Sequence, residues 1–366
     1  MKKIVFAGLA AILMIASCQK NEMPPENQED YTQSLYIRLD PSSFAPTTKA
    51  ITNARIANGA KFATPQKVYI FISAGDGTVK HRIPVGVTPD AANPLLDIDA
   101  LKAGYQLQNI YKNSTTVHII GNPKSNNFSA DMDATLRGIA TVDAIMALVN
   151  DVQYDSDPTE LTLYGESIIS SSYDAASETT SLSADVTLNP LVSRFQLTVA
   201  ADATVIEDLI VEGVYIRNFY QTTTFANVGG TLDAQGSLED SYIIDQPKFA
   251  GTYYPDMFDY NASGLDIAKV FAYHFFPLAA PVTSPEIVVR YTATNINDDI
   301  NKLRFVRVKG FMKDGVTFSD WQPGKLYNVD IVLGRGSEDP VGENVTFDVS
   351  ITVGDWVAVD LDPVYQ

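Results

Sequence analysis

Cys18 is the only cysteine in a chain of 366 residues, so the setting of that one thiol decides what chemistry it can do. It follows Ile15-Ala16-Ser17, with small side chains at the two positions before it. The stretch closes an apolar run, Ile4 to Ile15, that begins after Lys2 and Lys3. Such a run is too short to span a bilayer and has the make-up of an export signal. Small residues before the thiol fit the narrow pocket of a lipoprotein signal peptidase, which cuts between Ser17 and Cys18 once the sulfur carries a diacylglycerol. The bland alternative is an ordinary signal peptide in which Cys18 is one more apolar residue. The next reactive points are two peptide bonds, Lys49-Ala50 and Arg55-Ile56. They lie in a run from Pro41 to Arg55 rich in proline and small polar residues, the composition of an exposed connection that a trypsin-like protease can nick. Here the alternative is a plain loop that happens to carry a Lys and an Arg.

The remaining side chains of chemical interest give no enzyme signature. His81, His118 and His274 are far apart, with no His-Glu-x-x-His and no cysteine ligand nearby, which argues against a zinc site. No Gly-x-Ser-x-Gly elbow or phosphate loop occurs, and no cofactor is called for. The acid pairs Asp97/Asp99, Asp131/Asp133 and Asp155/Asp157 lack the glycine and distal glutamate of a calcium loop, and read as solvated turn or helix-start residues. Paired carboxylates for glycoside hydrolysis are defined by distance in space rather than in sequence, so a hydrolase stays as a rival.

The elements that would position these bonds come next. Between the polar tract Gln19 to Asp30, a hydrophilic tether, and the protease-sensitive run, Leu35, Ile37 and Leu39 alternate with Tyr36, Arg38 and Asp40. Period two marks a half-buried strand, here a single one with a long connection behind it. The rest is overwhelmingly β. Lys67 to Ile72 and Val79 to Ile83 flank a hairpin turn at Ala74-Gly75-Asp76-Gly77-Thr78, and Thr115 to Ile120 stops at Gly121-Asn122-Pro123. Leu136, Ile139, Val142, Ile145, Met146 and Val149 fall at helical spacing with Thr141 or Asp143 as a cap, which predicts one helical insertion on a sheet. Leu161 to Gly165 is a strand and Ser167 to Thr180 a mobile loop. Ser183 to Val199 is two strands hinged at Asn189-Pro190, where we place a domain boundary. Leu209 to Asn218, Thr222 to Val228, Ile287 to Thr294, Leu303 to Phe311 and Leu326 to Leu333 are short strands between Gly, Pro and Asn clusters, as in sandwiches. Trp321 to Lys325 makes a tight turn into the last of them. The tail alternates strictly: Val345, Phe347, Val349, Ile351 and Val353 face one way, and Trp356, Val357, Val359 and Leu361 continue extended after Gly354-Asp355. By itself such a tail either completes its own sandwich or reaches out to a partner.

Composition bounds the function. The formal net charge is −18, and losing Lys2 and Lys3 with the signal makes it −20 (−18 minus 2). That balance argues against nucleic acid and against docking on anionic lipid by charge. With its one cysteine committed to lipid, the chain has no thiol for disulfides and must be held by burial and strand pairing.

Taken in order, the lipobox at Cys18, the lone strand, Thr48-Lys49-Ala50, Tyr69 to Gly75, His118 to Pro123, Gln322 to Ile331 and the ending Ile351 to Gln366 resemble the fimbrillins, the type V pilins of Bacteroides-like bacteria. The resemblance spans nearly the whole mature chain, except for Thr222 to Tyr260, which matches no pattern. It implies a mainly β fold of two transthyretin-like β-sandwich domains with a short helical insertion in the first. The implied layout is a lipoprotein signal peptide at 1–17, a tether at 18–30, a first domain at 31–189 with a removable strand and loop at 31–49, and a second at 190–366 with a donor segment at 345–366.

The implied life history is that of a palmitate-carrying outer-membrane lipoprotein. An Arg- or Lys-specific protease cuts it after Lys49 or Arg55, with position favouring Lys49. Loss of the Leu35, Ile37 and Leu39 strand then opens a groove that a sister subunit's tail fills, and the products form a surface fimbria serving adhesion. Partners would be copies of itself or related pilins, the maturation protease and, through Cys18 before cleavage, outer-membrane lipid. Five alternating apolar side chains, Val345 to Val353, contribute on the order of 8–15 kcal/mol gross, against three in the leader strand, which tethering compensates until it is cut. Rival expectations are an anchor or tip subunit, a non-polymerising lipid-anchored protein that binds glycan or host protein, and the hydrolase above.

Overall fold

The computed structural model describes residues 30–40, 65, 67–86, 98–123, 132–152, 155, 161–175, 179–217, 219–220, 222–227, 230, 258–277, 285–295, 298–308, 310–313, 316–334, 349–355 and 362–364. The chain begins with β1 (Tyr31–Leu39), followed by the hairpin β2 (Val68–Ala74) and β3 (Val79–Val85). Asp76 and Gly77 close that hairpin. The Thr78 N–H donates to Asp76 Oδ1 at 2.9 Å, and Gly77 takes a φ of +80°, which costs a residue without Cβ nothing.

Helix α1 (Ile98–Ala103) leads to β4 (Tyr105–Tyr111) and β5 (Ser114–Gly121). Then come α2 (Met132–Gly138), α3 (Val142–Met146), β6 (Val149–Asp151), β7 (Leu163–Ile168), β8 (Ser170–Asp174), β9 (Thr179–Val186) and β10 (Asn189–Pro190). These strands build one sheet in the order β4-β1-β9-β8 and a second in the order β10-β7-β5-β2-β3. Leu35, Ile37, Leu39, Leu107 and Ala184 of the first sheet are buried, as are Val68, Ile70, Ile72, Val117 and Ile119 of the second. Strand β2 is buried on both faces, which is why it reads as an unbroken apolar run. The helical insertion lies beside the neighbouring β3, where Arg82 Nε donates to the Ile139 carbonyl and the Val79 N–H to the Ala140 carbonyl.

The second set begins with β11 (Ser193–Ala201), β12 (Ile206–Arg217), β13 (Thr222–Thr224), β14 (Phe258–Tyr260), β15 (Phe271–Phe275) and β16 (Glu286–Asn295). It continues with β17 (Asp298–Val308), β18 (Gly310–Lys313), β19 (Val316–Thr317), β20 (Lys325–Leu333), β21 (Val349–Asp355) and β22 (Asp362–Val364). Its sheets run β15-β11-β20-β21, β14-β12-β16-β17 and β19-β18-β22. An aromatic core sits between them: Phe195 stacks on Phe275 at 4.5 Å, and Trp321 meets Tyr327 edge-on at 4.7 Å. A small two-stranded sheet, β6 with β13, joins the two sets, and Tyr164 packs edge-on against Phe225 beside it. The protein is therefore mainly β, a pair of layered sandwiches, as the strand pattern predicts.

Several expectations need correction. The single helix over 136–149 is two short ones: Ile139 and Ala140 break it, Thr141 caps α3 by accepting from the Ala144 N–H at 3.2 Å, and Val149 belongs to a strand. Ser167 to Thr180 is not a loop, because Ser170–Asp174 pairs with β9. Every residue of that strand is exposed, so no apolar alternation marks it. The strand expected over Thr222 to Val228 ends at Thr224, and Leu303 to Phe311 divides into β17 and β18. Asp155 is not a solvated turn residue. It is fully buried, accepting from Asn150 Nδ2 at 2.5 Å and from the Thr162 N–H and hydroxyl at 2.8 and 2.9 Å. Asp99 does lie in the first turn of a helix. Strands β4 and β15 and helix α1 are additions that the sequence pattern does not mark.

Candidate strand-exchange site

Strand β1 is an interior strand rather than an edge. It pairs antiparallel with β4 on one side and parallel with β9 on the other, so that Leu35 faces Leu107 and Leu182, and Ile37 faces Ala184. Leu35, Ile37 and Leu39 are each 0% exposed. At roughly 1.5–3 kcal/mol per buried side chain they contribute about 5–9 kcal/mol gross, comparable to the whole net stability of an ordinary domain. Taking β1 out would leave backbone donors and acceptors of both β4 and β9 facing an apolar slot.

Polar contacts fix the register without adding much energy. Arg38 Nε lies 2.8 Å from Asp185 Oδ1 with both side chains about half exposed, a pair of the kind worth little in water. The Ser34 hydroxyl donates to Gln108 Oε1 at 2.6 Å, and Lys112 Nζ meets Asp30 at 2.5 Å. The Tyr36 hydroxyl donates to the Ala103 carbonyl, and its ring lies on Gly104, where a Cβ would stand 1.6 Å from the phenol oxygen. Gly104 also has a φ of +97°, so both its conformation and the space above it demand glycine.

His81, on β3 of the facing sheet, closes one end of the slot. Its Nε2 accepts the Tyr111 N–H of β4 at 3.0 Å, which places the proton of the neutral ring on Nδ1. Tyr31 of β1 packs edge-on against the imidazole at 5.6 Å. Burial first, then the charges of Arg82 and Lys80, push His81 down to about 4. The tie exists because β4 is irregular. Asn109 takes a φ of +58°, the pairing with β1 slips there, and the buried Leu107 and Ile110 end up three residues apart instead of two. That slip also hides β4 from a period-two search.

The second set of strands repeats this arrangement. Strand β11 sits between antiparallel β15 and parallel β20, as β1 sits between β4 and β9. The residue after each strand makes the same bond: Asp40 N–H donates to the Val186 carbonyl at 3.1 Å, and Asp202 N–H to the Leu333 carbonyl at 2.7 Å. The two copies differ in the connection leaving the strand. Residues 202–205 turn at once into β12, with Asp202 Oδ1 accepting from the Thr204 N–H, whereas residues 40–67 separate β1 from β2.

Of the residues singled out in the sequence, the structure brings Leu35, Ile37 and Leu39 into the slot. Val349, Ile351 and Val353 lie on β21, which pairs antiparallel with β20 along its own sheet edge, and Asp362–Val364 pairs with β18, also at an edge. Ser17, Cys18, Lys49, Ala50, Arg55, Ile56, Val345, Phe347, Trp356, Val357, Val359 and Leu361 lie outside the described residues. No cluster of three or more potential metal-binding side chains occurs among the described residues, and no described helix is long and apolar enough to cross a membrane. Sequence reasoning missed His81, Gly104 and β4, of which only Gly104, a glycine just after a short helix, left a local signal.

No family model matches the chain, and no curated protein does. Solved structures do. A candidate cell adhesion protein from Bacteroides eggerthii is 13% identical, with 89% of this chain and 96% of that one covered at a TM-score of 0.52. A candidate cell adhesion protein from Parabacteroides distasonis is 11% identical, with coverage of 90% and 98% and a TM-score of 0.51. A tip fimbrial protein from Porphyromonas gingivalis, truncated at its C-terminus, is 7% identical over 88% and 99% of the chains at a TM-score of 0.46. The first two share this chain's fold along nearly their full length.

Proposed function

We propose that the chain is a structural subunit of a surface fimbria that polymerises when a protease releases its first strand and a second subunit's tail replaces it. The observation that carries this reading is the contrast between two equivalent strands. Both β1 and β11 fill interior positions, yet only β1 is followed by a connection long enough to hold a cleavage site, residues 40–67 with Lys49 and Arg55. Cleavage there leaves β1 held by non-covalent contacts alone, and it loses the advantage of being tethered beside its slot.

The donor is the tail, 345–366. Strands β21 and β22 sit at sheet edges, bonded on one side only, so fewer ladder bonds hold them than hold an interior strand such as β1. Val357, Val359 and Leu361 repeat the spacing of Leu35, Ile37 and Leu39. Before cleavage the precursor is held to the outer membrane through acyl chains on Cys18, and the domains are 31–189 and 190–366. We read the subunit as non-enzymatic, and the fold it shares with two candidate cell adhesion proteins supports an adhesive role. The home pairing of β21 and β22 favours a second reading, a subunit that keeps its tail and its lipid and serves as an anchor, a tip or a binding protein without polymerising.

The test treats purified precursor with trypsin and follows SDS-resistant ladders. Cleavage after Lys49 or Arg55 with ladder formation supports the polymerising subunit. Cleavage that leaves only monomer supports the second reading.

A further inference from the structure

Arg194 is 3% exposed, and its Nε is buried without a hydrogen-bond partner. It lies on β11, on the face opposite the aromatic core. Along that face the facing residues of β11 and β20 are matched: Thr198 donates to Asp330 at 2.5 Å, and Gln196 Nε2 to Asn328 Oδ1 at 2.8 Å. The series fails one step further on, where the residue facing Arg194 is Leu326, which has nothing to offer a guanidinium. On the other side, β15 places His274, 4% exposed, directly across from it. Among the described residues no carboxylate pairs with Arg194. Burial alone pushes it down to about 10, with no acidic group raising it.

A cation held out of water with no counter-charge is strongly unfavourable, whereas an exposed one stays solvated, and the fold keeps this one in a row otherwise made of hydrogen-bonded pairs. We propose that Arg194, with His274 beside it, is the receiving group of an anion site that takes a single carboxylate. A guanidinium presents two parallel N–H donors that match a carboxylate in fork geometry. With 3% of the residue reachable, the opening admits one compact group rather than a sugar or a phosphorylated chain. Polar burial is confined to this end of the face: Gln196 and Asn328 are buried beside Arg194, whereas Ala200 and Val332 at the far end are exposed. The site owes nothing to strand release and stands apart from the β1 slot.

Thermal unfolding of the full chain at pH 7 in sodium acetate, against sodium chloride at matched ionic strength, tests this. The midpoint of the natural protein rises saturably with acetate by about 2–4 °C. Arg194→Met unfolds at a higher temperature than the natural protein in chloride, because it removes an unmatched buried charge, and it gains nothing from acetate. Arg194→Lys keeps the cation, loses the fork and retains at most half of the acetate response, which covers the case in which Arg194→Met does not fold. An acetate response that is absent from the natural protein, or equal in the variants, overturns the site, as does a lower midpoint for Arg194→Met in chloride.

Discussion

Replacing Ile37 by Ala in the uncut chain tests whether β1 is part of the core. Ile37 is fully buried, and the residue across from it on β9 is Ala184, too small to lean into the space left behind. A large-to-small change at a site that cannot collapse costs about 2–5 kcal/mol. With a urea dependence of roughly 2–3 kcal/mol per molar, the midpoint of the first sandwich falls by about 1–2 M. The two tryptophans, Trp321 and Trp356, both lie in the second half. Far-UV circular dichroism therefore follows both sandwiches while tryptophan fluorescence follows the second, which gives an internal reference. Arg38→Ala in the same strand removes a pair whose side chains are 44% and 59% exposed, and leaves the midpoint nearly unchanged. If Ile37→Ala costs as little as Arg38→Ala, the strand is not seated in the core, its removal opens no apolar slot, and donor replacement loses its driving force.

Other outcomes rest on the same contacts. Unfolded His81 takes up its proton as pH falls through about 6.5, whereas the folded ring resists until about 4, so the unfolded state binds more protons in that window. Its contribution of about 3 kcal/mol is present in full above pH 6.5 and is lost as pH falls towards 4, and His81→Leu flattens that part of a pH series of urea midpoints. Gly104→Ala destabilises the uncut chain by about 1–3 kcal/mol, because φ is +97° and the new Cβ meets the Tyr36 ring. In a Tyr36→Ala background the same change costs less, and an unchanged cost in a double-mutant cycle would show that the ring is not the obstacle. Under limited trypsin, Lys49→Gln, Arg55→Gln and Lys61→Gln together remove every basic residue of the 41–64 region, leave the chain uncut there and abolish SDS-resistant ladders. Ladders that persist would mean that strand release is unnecessary.

The sequence by itself determined those parts of the molecule whose physics is local. The expectation of a lipobox at Cys18 and of a protease target in the long connection rests on residue type alone. Leu35, Ile37 and Leu39 announced a strand with one buried face, and Asp76-Gly77 announced the hairpin after β2. What only the tertiary structure decided is where that strand sits and what it touches. Period two says that one face is buried, but it cannot say whether a strand is an edge or lies between two others, because the partners β4 and β9 are some 70 and 145 residues away along the chain. One of those partners is disguised by a slip at Asn109, and β8 has no buried residue to betray it. The match between β1 and β11 is likewise invisible in the residues and lives in the backbone bonds of Asp40 and Asp202. Arg194 shows the same limit from the other side: its charge is plain in the sequence, but only the packed sheet takes away the water and the partners that would have made it ordinary.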